Sequence, residues 1–261
     1  MSNWFFSLPI FPQMALVVFG IVYFVSACLF WLVGRLARAE RTYLFKDLSG
    51  DVLGLIGVLF ALLLVFSAEP AWTNLDRAKA AVNSEASALR DVMILAKSLP
   101  NENETQFHKL IGKYIEVTVN QEWPAMATKR MLLLTHNVCE CSPYLTNTIL
   151  YMRSLRPTDY WQRLNQSDIV SALEKVREAR RERIVISEDE SGTLRMIGLL
   201  VLAMLLQFMI AGVHAHNRYS GAIAISVSAT AIAMSMLLIF SNSSPFGGYY
   251  AVSSKVIQEI R

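Results

Sequence analysis

Residues 52–68 read VLGLIGVLFALLLVFSA, seventeen consecutive positions without a charge. At 1.5 Å per residue they make about 25 Å of helix, close to the ~30 Å hydrocarbon core of a bilayer. The run is short for a helix facing lipid alone, which suits a place inside a bundle or an oligomer. Immediately after it, Glu69-Pro70 opens a polar stretch, so the chain leaves the apolar phase here. Toward the N-terminus a second apolar run, Met14 to Leu36, ends at Arg35, Arg38 and Arg41. Toward the C-terminus, Met196–Val213 and Gly221–Phe240 are two more, the last rich in Ala and Ser, residues that let helices approach closely in lipid. Four spans follow.

Composition agrees. Only 17% of the 261 residues are charged, against about 25% in ordinary soluble domains. The net charge of +3 is mild, and the basic residues flank apolar runs instead of interleaving with exposed aromatics, which argues against nucleic acid as a partner. No Lys or Arg precedes the first run, so it reads as a retained span and not a cleaved leader. Val25-Ser26-Ala27-Cys28 looks like the small-residue site before a lipid-modified cysteine, but Leu29 to Val33 continue the span.

Between Glu69 and Arg195 the pattern becomes amphipathic. Leu75, Ala78, Val82, Ala86, Leu89, Met93 and Ala96 form one helical stripe ending at Pro100. A second helix places Phe107, Leu110, Ile111, Tyr114, Val117 and Thr118 on one face and ends at Trp123-Pro124. A third covers Leu145 to Leu155. A fourth starts near Asp168, a suitable N-cap, and carries Ile169, Leu173 and Val176 before the basic run Arg177, Arg180, Arg181, Arg183. No segment alternates like a strand. The expected architecture is all-α: spans one and two over 1–68, a helical soluble domain over 69–195, spans three and four over 196–240 and a tail over 241–261. Arg35, Arg38, Arg41 and Lys46 in the short loop after the first span favour placing that loop in the cytoplasm and the soluble domain outside a cell inner membrane. The arginines just before the third span pull the other way.

The stretch from Leu53 to Met126 resembles a mostly bacterial, bestrophin-like family of membrane proteins. The resemblance rests on Leu62-Leu63-Leu64-Val65-Phe66, then Trp72, Ser84-Glu85-Ala86 with Leu89, Leu99-Pro100, Tyr114 and Glu122-Trp123-Pro124-Ala125-Met126, with a late Ser-Pro-Phe-Gly-Gly at Ser244 to Gly248. It implies family-motif roles for Trp72, Glu85, Glu122, Trp123 and Pro124. More distantly it implies an anion channel built as a homo-oligomer, a pentamer by analogy, whose partners are lipid and inorganic ions. The acidic calcium clasp of animal bestrophins is absent from the sequence. Bestrophins narrow the pore with apolar side chains on the second span, and Ile56, Phe60 and Leu64, with Gly57 beside them, are the matching stripe, able to gate by dewetting.

Each remaining constellation has a plainer reading. Any apolar helix has such stripes, and packing explains them. Asp51 and Glu69 bracket the second span; an anion path would instead use Arg77, Arg90, Arg177 and Arg180, and the simplest reading of all these charges, Glu85 included, is a solvated surface. Gln207 and His214 share a face of the third span and are expected to hydrogen-bond another helix. His136, Cys139 and Cys141 are zinc-type ligands, but C-x-C with one His falls short of the usual four-ligand spacings. No G-x-S-x-G, H-E-x-x-H or phosphate-binding glycine loop is present, so neither an enzyme nor a cofactor is expected. Two readings remain: an oligomeric ion channel in which the helical domain extends the pore, or a membrane-anchored sensor or scaffold whose helical domain binds a partner.

Overall fold

From Gly50 to Ala96 the computed structural model is one unbroken helix of 47 residues. At 1.5 Å per residue this is about 70 Å, twice what crosses the hydrocarbon core. Hydropathy alone ends the span at Ala68, and the amphipathic stripe starts at Leu75. The chain instead runs through Pro70, whose ring offers no N–H to the Phe66 carbonyl but leaves the helical dihedrals intact. The structure describes residues 10–37, 50–127, 141–157, 159–189, 191–214, 217–247 and 251–260.

The helices, in order, are α1 (Ile10–Ala37), α2 (Gly50–Ala96), α3 (Asn101–Val117), a π turn (Thr118–Glu122), α4 (Trp123–Ala127), α5 (Cys141–Ser154), α6 (Tyr160–Ser187), α7 (Ser191–Val213), α8 (Arg218–Asn242) and α9 (Lys255–Gln258). No strand occurs among the described residues. Four of the helices are long and apolar enough to cross a membrane: α1, the first part of α2, α7 and α8. Helix α6 begins eight residues before the expected Asp168, because Asp159 holds the extended backbone a cap requires and its carboxylate accepts from the Gln162 amide at 2.7 Å. Asp168 lies inside the helix on its exposed side. Helix α3 does not stop at Trp123-Pro124. The π turn carries the backbone into α4, where Pro124 offers no N–H to the carbonyls of the turn before it.

The chain divides into two compact units, Met1–Trp72 with Glu190–Ser243, and Thr73–Asp189 with Ser244–Arg261. In the first, α7 and α8 bury Leu199, Ala203, Ile232, Met236 and Ile239 in one cluster with Phe60 of α2. Gly198 lets the helices close up, since a Cβ there would lie 3.3 Å from the Leu63 side chain. In the second, Val82, Leu89, Phe107, Ile111, Met152, Ile169 and Leu173 form the core. The C-terminal stretch joins it: Ile257 is fully buried and Phe246 stacks edge-on against Trp123 at 5.7 Å. Gly247 is required there, because a Cβ would come within 2.3 Å of the Ala127 carbonyl oxygen.

Candidate functional site

The first candidate is the face of α2 within the span. Phe60 is buried, Leu64 packs against its cluster, and Ile56 and Gly57 are half-buried. The stripe expected to face an axis is thus the one this chain covers with its own α7 and α8. Periodicity alone marks that Ile56, Phe60 and Leu64 share a face; it does not say which neighbour the face meets. The face left open is the opposite one, centred on Leu55, Leu62 and Glu69 and flanked by Val58, Leu59, Val65 and Phe66, all exposed. With 100° per residue, Leu62 lies about 200° round the helix from Phe60. Trp72, further along, is also exposed.

The second candidate is polar and buried. Glu85 of α2, Tyr114 of α3, Glu122 of the π turn, and Arg180 and Arg183 of α6 meet inside the second unit. Arg183 donates through Nε to Glu85 Oε2 at 2.8 Å, and through Nη2 to Glu85 Oε1 at 3.2 Å and Glu122 Oε2 at 3.0 Å. Arg180 donates to the remaining Glu122 oxygen through Nε at 2.9 Å and also through Nη2. Tyr114 donates its hydroxyl to Glu85 Oε1 at 2.6 Å. The Arg183 guanidinium lies 4.9 Å above the Trp123 ring, whose Nε1 donates to the Val252 carbonyl at 3.1 Å. Four charged groups and a phenol are thereby removed from water, with the C-terminal segment tied on by Trp123.

Two carboxylates and two guanidiniums cancel, and each carboxylate oxygen has a donor. A closed neutral network leaves no free charge for a ligand or a reacting group. It positions helices. Glu85 and Arg180, whose simplest sequence reading is a solvated surface, are therefore core residues together with the family-motif residue Glu122, and Arg183, one of a basic run, is the fully buried centre. Burial works against the Arg183 charge, but Glu85 and Glu122 outweigh it and raise its pKa further. Burial first, and the Glu85 carboxylate second, push the Tyr114 phenol well above its ordinary value of 10.0. A group raised in the folded state stabilises fully below its unfolded pKa and loses that contribution as pH climbs toward the folded value. Thermal unfolding should therefore show wild type losing stability above pH ~10, and Tyr114→Phe should flatten that alkaline limb. An unchanged limb in the variant would contradict the assignment.

Of the arginines an anion path would use, Arg77 pairs with Glu182 at 2.5 Å, Arg177 with Glu174 at 2.5 Å, and Arg180 with Glu122. Gln207 accepts from Ser228 Oγ of α8 at 3.2 Å, as expected for a group serving another helix. His214 instead bonds the Ile210 carbonyl of its own helix at 3.0 Å. His136 and Cys139 lie outside the described residues, and Cys141 opens α5. Among the described residues no three His, Cys, Asp or Glu side chains cluster as metal ligands do.

A family model described as the Bestrophin-like domain matches residues 20–257. No curated protein matches the sequence. The fold is similar to that of a tryptophan variant of a bacterial bestrophin homologue from Klebsiella pneumoniae, with a TM-score of 0.69 and 13% identity over 93% of this chain and 95% of that one. A tyrosine variant described in the same words gives 0.61 and 15% over 91% and 96%. A crystal structure of a membrane protein with a proline-to-alanine substitution gives 0.68 and 12% over 92% and 95%. At such identities the likeness speaks for the fold.

Proposed function

Because the chain belongs to the bestrophin-like family, we propose that it works as an ion channel assembled from several copies, with α2 of each copy lining the pore. The observation that carries this reading is the open face of α2: Leu55, Val58, Leu59, Leu62, Val65 and Phe66 form an apolar strip that the subunit itself leaves uncovered. In a ring of subunits turned this way, the strip would make a narrow, dewettable neck with Glu69 at its end. This places the lining one face over from Ile56, Phe60 and Leu64.

A pentamer follows from the family analogy, as does an anion as the permeant species. The engagement of Arg77, Arg177 and Arg180 with carboxylates occupies three of the four arginines an anion path would use and so favours a cation. In a cell inner membrane, the short-loop charges favour the helical domain outside, against the pull of the arginines before α7. A second reading, a membrane-anchored scaffold, draws support from Phe60, which serves packing within the subunit. Purified protein in liposomes under opposed chloride and potassium gradients separates the readings. The channel predicts current above that of empty liposomes, with a reversal potential that names the ion's sign. A folded oligomer that passes no current under either gradient leaves the scaffold.

A further inference from the structure

Where α2 and α5 end and α3 and α6 begin, the helical unit holds a cavity of about 230 Å³. Leu99, Met152, Leu155 and Pro157 give it an apolar side, and Asn103, Arg156, Asn165 and Gln166 a polar one. Neighbouring groups fix which atom of each amide is left unused. Gln166 donates both hydrogens of Nε2, one to the Met152 carbonyl and one to the Leu155 carbonyl at 3.0 Å, so its Oε1 remains a free acceptor. Asn165 donates through Nδ2 to Ser98 Oγ, and its Oδ1 meets no donor among the described residues. Asn103 is held the other way round: its Oδ1 accepts from the Tyr151 hydroxyl at 3.1 Å, which leaves Nδ2 to donate. Arg156 is exposed and has no carboxylate partner among the described residues.

The cavity thus presents two unused oxygens from α6 and two unused donors from α3 and the end of α5. The helix ends divide the charge in the same sense. Helices α2 and α5 both finish here, and a C-terminal end favours a cation; α3 starts after Pro100, which has no side chain to cap the first amides, and those favour an anion. We propose that this cavity binds a free aliphatic α-amino acid. Its carboxylate meets Arg156 and Asn103 Nδ2, its ammonium meets Asn165 Oδ1 and Gln166 Oε1, and its side chain lies on Leu99, Met152 and Leu155. A plain carboxylate would leave the two oxygens unused, and a plain amine would leave the guanidinium unused. Drug-sized ligands occupy about 300–1,000 Å³, so this smaller volume suits a single residue. The site lies wholly within the helical unit, so the inference is independent of whether the chain passes ions.

Equilibrium dialysis of the detergent-purified full chain against radiolabelled L-leucine and L-valine tests it. Wild type should retain both saturably. Isovalerate and isoamylamine, each lacking one of the two charges, should compete with leucine about tenfold more weakly than unlabelled leucine does. Arg156→Gln changes an exposed side chain and should weaken leucine by about tenfold while leaving isoamylamine unaffected. No retention of either amino acid by wild type at millimolar concentration overturns the site, a reading that needs no variant to fold. Unchanged leucine binding in Arg156→Gln overturns it too. Isovalerate competing as well as leucine would make this a carboxylate site, and N-acetyl-leucine methylamide doing so would make it a peptide site; either result also overturns the proposal.

Discussion

Arg183→Met should cost the helical unit about 3–5 kcal/mol, because it leaves Glu85 and Glu122 buried with one guanidinium between them. The side chain of Arg183 is fully buried and its partners reach it from α2 and the π turn, so water cannot replace it. The network is expected to be far less costly to remove in balanced pairs. Glu85→Gln combined with Arg183→Met takes away one charge of each sign, keeps an acceptor for the Tyr114 hydroxyl and leaves Glu122 with Arg180. It should recover most of the loss. Trp123 lies directly under Arg183, so its fluorescence during thermal unfolding reports on this region. An Arg183→Met protein melting with wild type would show that the network does not hold the unit together.

That network also marks the limit of what the sequence makes legible. The four spans, the all-helical inserted region and the buried stripes of α2 and α3 all follow from hydropathy and spacing, because lipid and core burial act on every residue of a face at once. The charged core residues were equally present in the pattern. Glu85 falls between Val82 and Leu89, and Arg180 and Arg183 continue Ile169, Leu173 and Val176 at spacings of three and four. A charge on an apolar stripe signals a buried pair, but only a second stripe with the opposite charge says which pair, and Glu85 and Arg183 lie 98 positions apart. The start of α6 was missed for a local reason: Asp159 and Asp168 are both competent caps, and the amphipathic stripe begins only at Ile169. For the pore stripe the missing information was the neighbour. A span packed on one side within its subunit and open on the other carries apolar residues all round, so no periodicity tells the two faces apart.

The open face of α2 gives the second large effect. A cysteine at position 62 on a channel's narrow neck would become charged and bulky on reaction with a positively charged methanethiosulfonate reagent. Copies of it would crowd one cross-section, so current should fall by on the order of tenfold or more, since a barrier of only about 1.4 kcal/mol suffices for the first factor of ten. Ser67 supplies the contrast. It lies on the packed side of α2, is buried, and donates to the Leu63 carbonyl at 2.7 Å. Serine to cysteine changes one atom, so Ser67→Cys should fold as wild type and stay out of reach of the reagent.

The most direct measurement is therefore current through liposome-reconstituted protein before and after that reagent, for Leu62→Cys and Ser67→Cys, each with Cys28, Cys139 and Cys141 replaced by serine. A lining built from the open face predicts block at position 62 and unchanged current at position 67. Block at 67 with none at 62 would turn the packed face toward the ions and contradict the account.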